Sequence, residues 1–521
     1  MKHLKFIGIF ILLLWLFIFG FHGQAFSEKV LRIGVKSGDM GILDPHLSAT
    51  TANLPIMDSI FNGLVRFVPG TVDLEKIEPD LAERWTASPD KKIWTFYLRK
   101  GVQFHQGFGE MTAEDVVFSL KKAAAKETSA WWSNYTVVDK VEALDKYTVR
   151  ITLKNNIPSV LALVINSRGG MVLSKKAYEK HGDGFKLNPV GTGPFAFEEY
   201  VPKQKTILKA YPQYFRGRPK IDKVIYHFMP VDQSREMALE KGELDMIEGT
   251  KAEWWVNKMR GTKGILVDAL PPGELTVVHF NLTKKPLDNL KVRQAMAHAL
   301  HRDEFREDYG KSITEDALSP VPPGYLGYTS NVKKYEYNIE KAKALMKEAG
   351  YPNGFDLGKM VTSTIYLSSA ELLQQHLKKI GIKFEIQIVD HPTMHKMIRS
   401  DVNALVPYGA ARFPIADEYL TQFYHSNAIV GKPTGITNFS HYGEVIPGVD
   451  DLIDAASIEP DPEKQKQIWI KAQQKIMEDL PSYSLRVTYV LFARRNTIDL
   501  GYELKSNISL HYQITEKTDI K

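Results

Sequence analysis

Three features of the sequence predict an α/β fold. Strand-like runs rich in β-branched and aromatic residues recur along the whole chain and alternate with helix-like stretches. Residues 359–389 read as strand, helix, strand, a unit that joins a parallel pair through a right-handed crossover. The chain has 521 residues, more than one core holds, so two or three domains of about 100 to 200 residues each are expected.

The strand-like runs are "LRIGVK" (31–36), "WTFYLR" (94–99), "YTVRITL" (147–153), "VIYHFM" (224–229), "LTVVHFNL" (275–282), "KFEIQIV" (383–389) and "SLRVTYVLFA" (484–493). Three helices stand out between them. One starts at Asn338, sets Ala342, Leu345, Met346 and Ala349 on one face, and stops at Gly350 and Pro352. The second runs from Ser368, with Glu371 three positions on as in a capping box, to Gly381 as its C-cap. The third begins at Asp461 with Pro462 in the first helical position. "NALVPY" (403–408) reads as a further strand, and Arg412 lies four residues past its end. Ligands of open α/β sheets sit outside the carboxyl ends of strands, which places Arg412 at a cleft.

The N-terminus sets the compartment. Lys2, His3 and Lys5 precede an apolar stretch from Phe6 to Phe21, and "GQA" at 23–25 supplies small residues at cleavage-site spacing. Residues 1–25 therefore read as a signal peptide, with the mature chain starting near Phe26. An uncleaved anchor would need about 18 to 20 apolar residues, and the run is slightly short of that. The sequence contains no cysteine, which excludes a disulfide framework, a thiolate nucleophile, Cys-ligated zinc and lipidation of an N-terminal cysteine. The expectation is a freely soluble exported, periplasmic protein.

The formal charge of +6 falls to +4 without Lys2 and Lys5. No basic run tracks phosphates, so nucleic acid is not an expected partner. Apolar residues at 44% and charged residues at 25% put the chain among ordinary globular proteins rather than disordered ones.

Catalytic signatures are missing: no G-x-S-x-G elbow, no phosphate loop with its lysine and no H-E-x-x-H. "GTGPF" (191–195) reads as tight turns. His391 and His395 stand at i, i+4 beside Asp390, a spacing that ligates metal from a first helical turn. With no third ligand nearby, Asp390 as an N-cap followed by two solvated histidines is the preferred reading, and no metal or other cofactor is expected.

The segment 78–123, "EPDLAERWTASPDKKIWTFYLRKGVQFHQGFGEMTAEDVVFSLKKA", resembles the signature of the family 5 solute-binding proteins, the extracytoplasmic receptors of ABC importers for dipeptides, oligopeptides, glutathione and nickel. "LDPHLSAT" (43–50), "FNGLVRF" (61–67), "NPVGTGPFAFEEY" (188–200), "YFRGRPKIDKVIYHF" (214–228), "KGELDMIEG" (241–249), "NLKVRQAMAHALHRDEF" (289–305) and "YNIEKAKALMKEAGYPNGFDL" (337–357) resemble the family in the same order.

The resemblance implies a two-lobed periplasmic-binding-protein fold of class II type with an extra domain in the first lobe. Domain I would combine about 26–60, 190–280 and 485–521, domain II would be about 61–189, and domain III, the second lobe, about 281–484. Crossings near Asn281 and Ser484 would make two long strands a paired hinge. The implied partners are a small-molecule or peptide ligand, a small peptide or a peptide-like or anionic solute held in an interlobe cleft, and an ABC permease with its ATPase complex, and the receptor itself would be a monomer.

Peptide-binding members often carry Asp-Tyr followed by Pro-Asp-Pro where this chain has "RFPIA", and the aspartate holds the peptide's ammonium group. Arg412 in that place inverts the electrostatics and points to a carboxylate or phosphate. The bland alternative pairs Arg412 with Asp417 or Glu418 on a loop, which is worth little. Tyr408 and Tyr366, near strand ends, are candidates to stack on or hydrogen-bond a solute. Asp39 and Met40 occupy a region where relatives contact ligand. Trp131 and Trp132 are candidates to wall a pocket, while His105 reads as structural. A binding receptor without catalytic residues is the expected function; the alternative is a secreted hydrolase or another enzyme on the same architecture.

Overall fold

The computed structural model describes residues 28–48, 53–74, 76–157, 160–161, 168–433, 435, 437–506 and 512–521. The signal-like segment 1–25 lies outside the described residues. Among those described, no helix is long and apolar enough to cross a membrane.

A nine-stranded mixed sheet forms the spine. From edge to edge it runs Leu405–Ala410, Ile265–Phe280, Ser482–Arg495, Met246–Glu248, Val30–Val35, Lys223–Phe228, Lys205–Ala210 and Phe195–Val201, with Thr314–Glu315 added on Ser482–Arg495. Val30–Val35 is parallel to both of its neighbours. The expected long strands do pair: Ile265–Phe280 and Ser482–Arg495 run antiparallel, in register from Ile265 with Arg495 to His279 with Ser482. Their ladder shifts register twice, between Thr276 and Val277 and, over a longer gap, between Leu270 and Glu274. There Gly273 takes φ +68°, and a Cβ on it would stand 2.1 Å from the Thr488 carbonyl oxygen, so only glycine fits.

Among the described residues there are four smaller sheets, two of them the short pairs Val65–Phe67 with Ile77–Pro79 and Ile498–Asp499 with Asp519–Ile520. Ala82–Ala87, Ile93–Leu98, Thr148–Leu153 and Val138–Asp145 form an antiparallel four-stranded sheet. Phe355–Thr362 and Ile382–Ile388 form the expected parallel pair, joined by the helix Leu367–Lys378. One apolar core gathers residues from the first half of the chain and from 490–514, and two others gather residues 275–487. Phe413 packs against both the first and the second.

Local signals hold where their partners are local. The Asn338 side chain accepts from the Lys341 N–H at 2.8 Å, and Asp461 accepts from Glu463 and Lys464 at 3.0 Å each. Ser368 is a correction. The helix starts at Leu367, and the Ser368 hydroxyl donates to Asp308 instead of capping. "GTGPF" is another. Gly191 and Gly193 have ordinary φ, and glycine is needed because a Cβ would stand 2.2 Å from the Ile60 carbonyl oxygen and 2.5 Å from that of Ser59.

Candidate functional site

The strand at the sheet edge ends at Ala410, so Arg412 lies two residues past it rather than four. Two tyrosine hydroxyls fix the main chain around it. Tyr419 donates to the Ala410 carbonyl at 2.6 Å, and Tyr325 donates to that of Arg412 at 2.7 Å. The Arg412 guanidinium lies 5.4 Å from the Phe423 ring centre and donates from Nη1 to the Ala411 carbonyl at 3.1 Å. Its Nε is buried and finds no acceptor among the described residues.

Asp417 and Glu418 open the helix Ala416–Tyr424. Neither is within 4.0 Å of the guanidinium among the described ion pairs, so the loop pairing is not formed in this structure. Burial, reinforced by Glu418, pushes the Asp417 carboxyl up to about 7. Burial also raises Glu418, and the nearby Arg412 charge partly opposes it.

Phe413 points the other way. Its ring lies 6.0 Å from that of Phe67 and closes a cavity of about 210 Å³ lined also by Asp58, Phe61, Asn62, Met171 and Tyr502. Phe413, and not Arg412, is the member of this stretch that lines the cavity.

Tyr366 and Tyr408 come together with two residues of the helix His391–Arg399. Ring centres run Tyr366 to His391 at 5.9 Å, His391 to His395 at 4.4 Å and His395 to Tyr408 at 5.9 Å. Asp390 does cap this helix, accepting from the Thr393 N–H at 3.0 Å. The histidines are not solvated singly: their Nε2 atoms are 3.0 Å apart and both rings are half-buried. Burial, then the neighbouring His391, hold the His395 imidazole below its ordinary range. Spacing alone showed the pair; the flanking tyrosines belong to other elements, so the ladder of rings was not legible.

The remaining candidates are engaged elsewhere. The Asp39 carboxylate accepts from the Tyr200 hydroxyl at 2.5 Å and from the N–H groups of Lys203 and Met40, and the Tyr200 bond leads in holding it below the usual carboxylate range. Met40 is buried in the first core, its sulfur accepting from the Thr206 hydroxyl. Trp131 donates from Nε1 to the Pro45 carbonyl at 3.1 Å under the Arg168 guanidinium, while Trp132 is exposed beneath Lys126. None of these bonds reaches Tyr366, Tyr408 or Arg412. His105 is buried and bonded to the Gly193 carbonyl at 2.9 Å.

Residues 76–431 match the family model described as bacterial extracellular solute-binding proteins, family 5 Middle. The chain is 32% identical over 356 residues to the dipeptide-binding protein of Escherichia coli, covering 63% of this chain and 65% of that one. It is 27% identical over 485 residues to the glutathione-binding protein GsiB of Shigella boydii, covering 91% and 92%. Among solved structures, the periplasmic binding protein MoaA of A. tumefaciens in complex with mannopinic acid superposes with a TM-score of 0.80. The two are 40% identical, covering 95% of this chain and all of that one.

Proposed function

This chain belongs to the bacterial extracellular solute-binding proteins of family 5, and on that premise we propose that it is the receptor of an ABC importer that captures a small carboxylate-bearing, peptide-like or opine-like solute between two lobes. The solute passes unaltered to a permease and its ATPase. The lobes are the 26–280 and 485–521 segments on one side and 281–484 on the other, with the paired strands Ile265–Phe280 and Ser482–Arg495 as the hinge. Ligand binds the closed arrangement better and shifts the population toward it.

One observation carries the anionic solute. Arg412 is a half-buried cation whose Nε lacks an acceptor and which has no carboxylate within 4.0 Å among the described ion pairs. A guanidinium fork so placed is suited to a carboxylate, and a charge-assisted pair in a desolvated cleft is stronger than at a surface. The mannopinic acid held by a structural neighbour at 40% identity supports the same class of ligand. The receptor is read as a periplasmic monomer released by cleavage near Phe26.

Thermal melts of the mature chain against dipeptides, glutathione, mannopinic acid and neutral sugars test the proposal. The melting temperature should rise with an acid of the panel as its concentration passes the dissociation constant, with the acid recovered intact. A response to sugars alone would sink the anionic reading, and turnover of a panel member would replace the receptor by an enzyme.

A further inference from the structure

We propose that His391 and His395 form a two-nitrogen site for a tetragonal divalent cation, copper(II) or nickel(II), whose other positions are filled by water or by donors of a bound solute. The two Nε2 atoms are 3.0 Å apart on successive turns of the helix His391–Arg399. Metal–imidazole bonds are about 2.05 Å, so two nitrogens at this separation can reach one shared metal. The 3.0 Å is the spacing of an N–H···N hydrogen bond, so the choice of copper(II) or nickel(II) rests on their affinity for imidazole rather than on this distance.

The rings stand at 77° to each other, and their χ2 torsions are soft, so small rotations turn both Nε2 lone pairs toward one point. In the metal-free state one Nε2–H donates to the other Nε2. On binding, that proton moves to Nδ1 of its own ring, so both Nε2 atoms ligate as neutral imidazoles and no proton is lost from the pair. For His391 the Nδ1–H then has the Ser363 hydroxyl oxygen as acceptor at 3.3 Å, an outer contact that orients a metal-binding ring.

No group of three or more imidazoles and carboxylates converges anywhere among the described residues, so the pair has no third ligand of these types there. An open site of this kind takes hydrated metal or a metal already held by amino and carboxylate donors. Tyr366 and Tyr408 flank the pair on either side, and the chain has no cysteine to compete for the metal.

The test is a copper(II) titration of the full mature chain after chelator treatment, read by electron paramagnetic resonance and calorimetry with no solute added. One copper per chain is expected, with a tetragonal spectrum carrying nitrogen hyperfine lines. His391→Gln or His395→Gln should each weaken it at least about tenfold, and the double variant should remove it. Circular dichroism checks that the variants fold. If they do not, the melt of the unaltered chain with nickel chloride decides, and it must rise as metal is added. A double variant that binds copper as tightly as the unaltered chain, or an unaltered chain that binds neither metal, leaves only a hydrogen bond between two histidines. Because no solute is present, neither outcome bears on the Arg412 reading.

Discussion

The ring of Phe413 lies 6.0 Å from that of Phe67 and tilts 33° to it, and through this pair a residue of the 281–484 segment reaches the core built by the first half of the chain. Phe413 follows Arg412 directly, so the cation and the residue that touches the first core share one short loop. Removing the ring should favour the open arrangement. We expect Phe413→Ala to lower solute affinity by about 1–3 kcal/mol through lost apolar burial on closure. Calorimetry checks the affinity and small-angle scattering the closure; an unchanged affinity would show that the contact is not part of binding.

The bulge in the long strand pair makes a sharper claim on stability. Gly273→Ala places a Cβ against the Thr488 carbonyl oxygen at a positive φ. A loss of about 2–4 kcal/mol in urea unfolding is expected. A loss below about 0.5 kcal/mol would mean that the backbone relaxes there without cost.

Asp417 should make stability depend on pH. Its folded carboxyl is raised from 3.8 to about 7, so between those values the folded state binds more protons than the unfolded one. Stability from this group is complete below about pH 4 and is lost as pH rises through about 7. Asp417→Asn should therefore stabilise the protein at pH 8 by about 1–3 kcal/mol and change little at pH 4. Equal effects at both pH values would remove the claim.

Asp39 separates a structural role from a binding role. Its carboxylate already serves Tyr200, Lys203 and Met40. Asp39→Ala should cost about 1–2 kcal/mol of stability while solute affinity stays within about 0.5 kcal/mol. A tenfold loss of affinity without loss of stability would restore the family-based expectation for this residue.

These cases show what the sequence carried and what it did not. The parallel pair Phe355–Thr362 and Ile382–Ile388 was legible because strand, helix and strand follow one another in the chain. Asn338 and Asp461 were legible because a cap meets its partner within three residues. Ser368 had the same local pattern, but Asp308, sixty residues away in the chain, takes its hydroxyl. Gly191 and Gly193 were seen as punctuation, whereas the approach of the Ile60 and Ser59 carbonyls is what requires them. At the candidate site, residue types were legible and neighbours were not. Arg412 stood out by its apolar surroundings, but the lack of an ion pair with Asp417 or Glu418 depends on how the helix Ala416–Tyr424 departs from the loop.

Calorimetry of Arg412 variants with mannopinic acid, or with whichever acid of the panel binds, is the most direct test of the central claim. If the guanidinium receives the solute's carboxylate, Arg412→Ala should weaken binding by about 2–5 kcal/mol, because it leaves that charge buried and unpaired. Arg412→Lys should recover only part of the loss, since an ammonium cannot reproduce the two-pronged geometry. An Arg412→Ala protein that binds the acid with unchanged affinity would contradict the account and leave Arg412 as a charge held against Phe423 with no part in recognition.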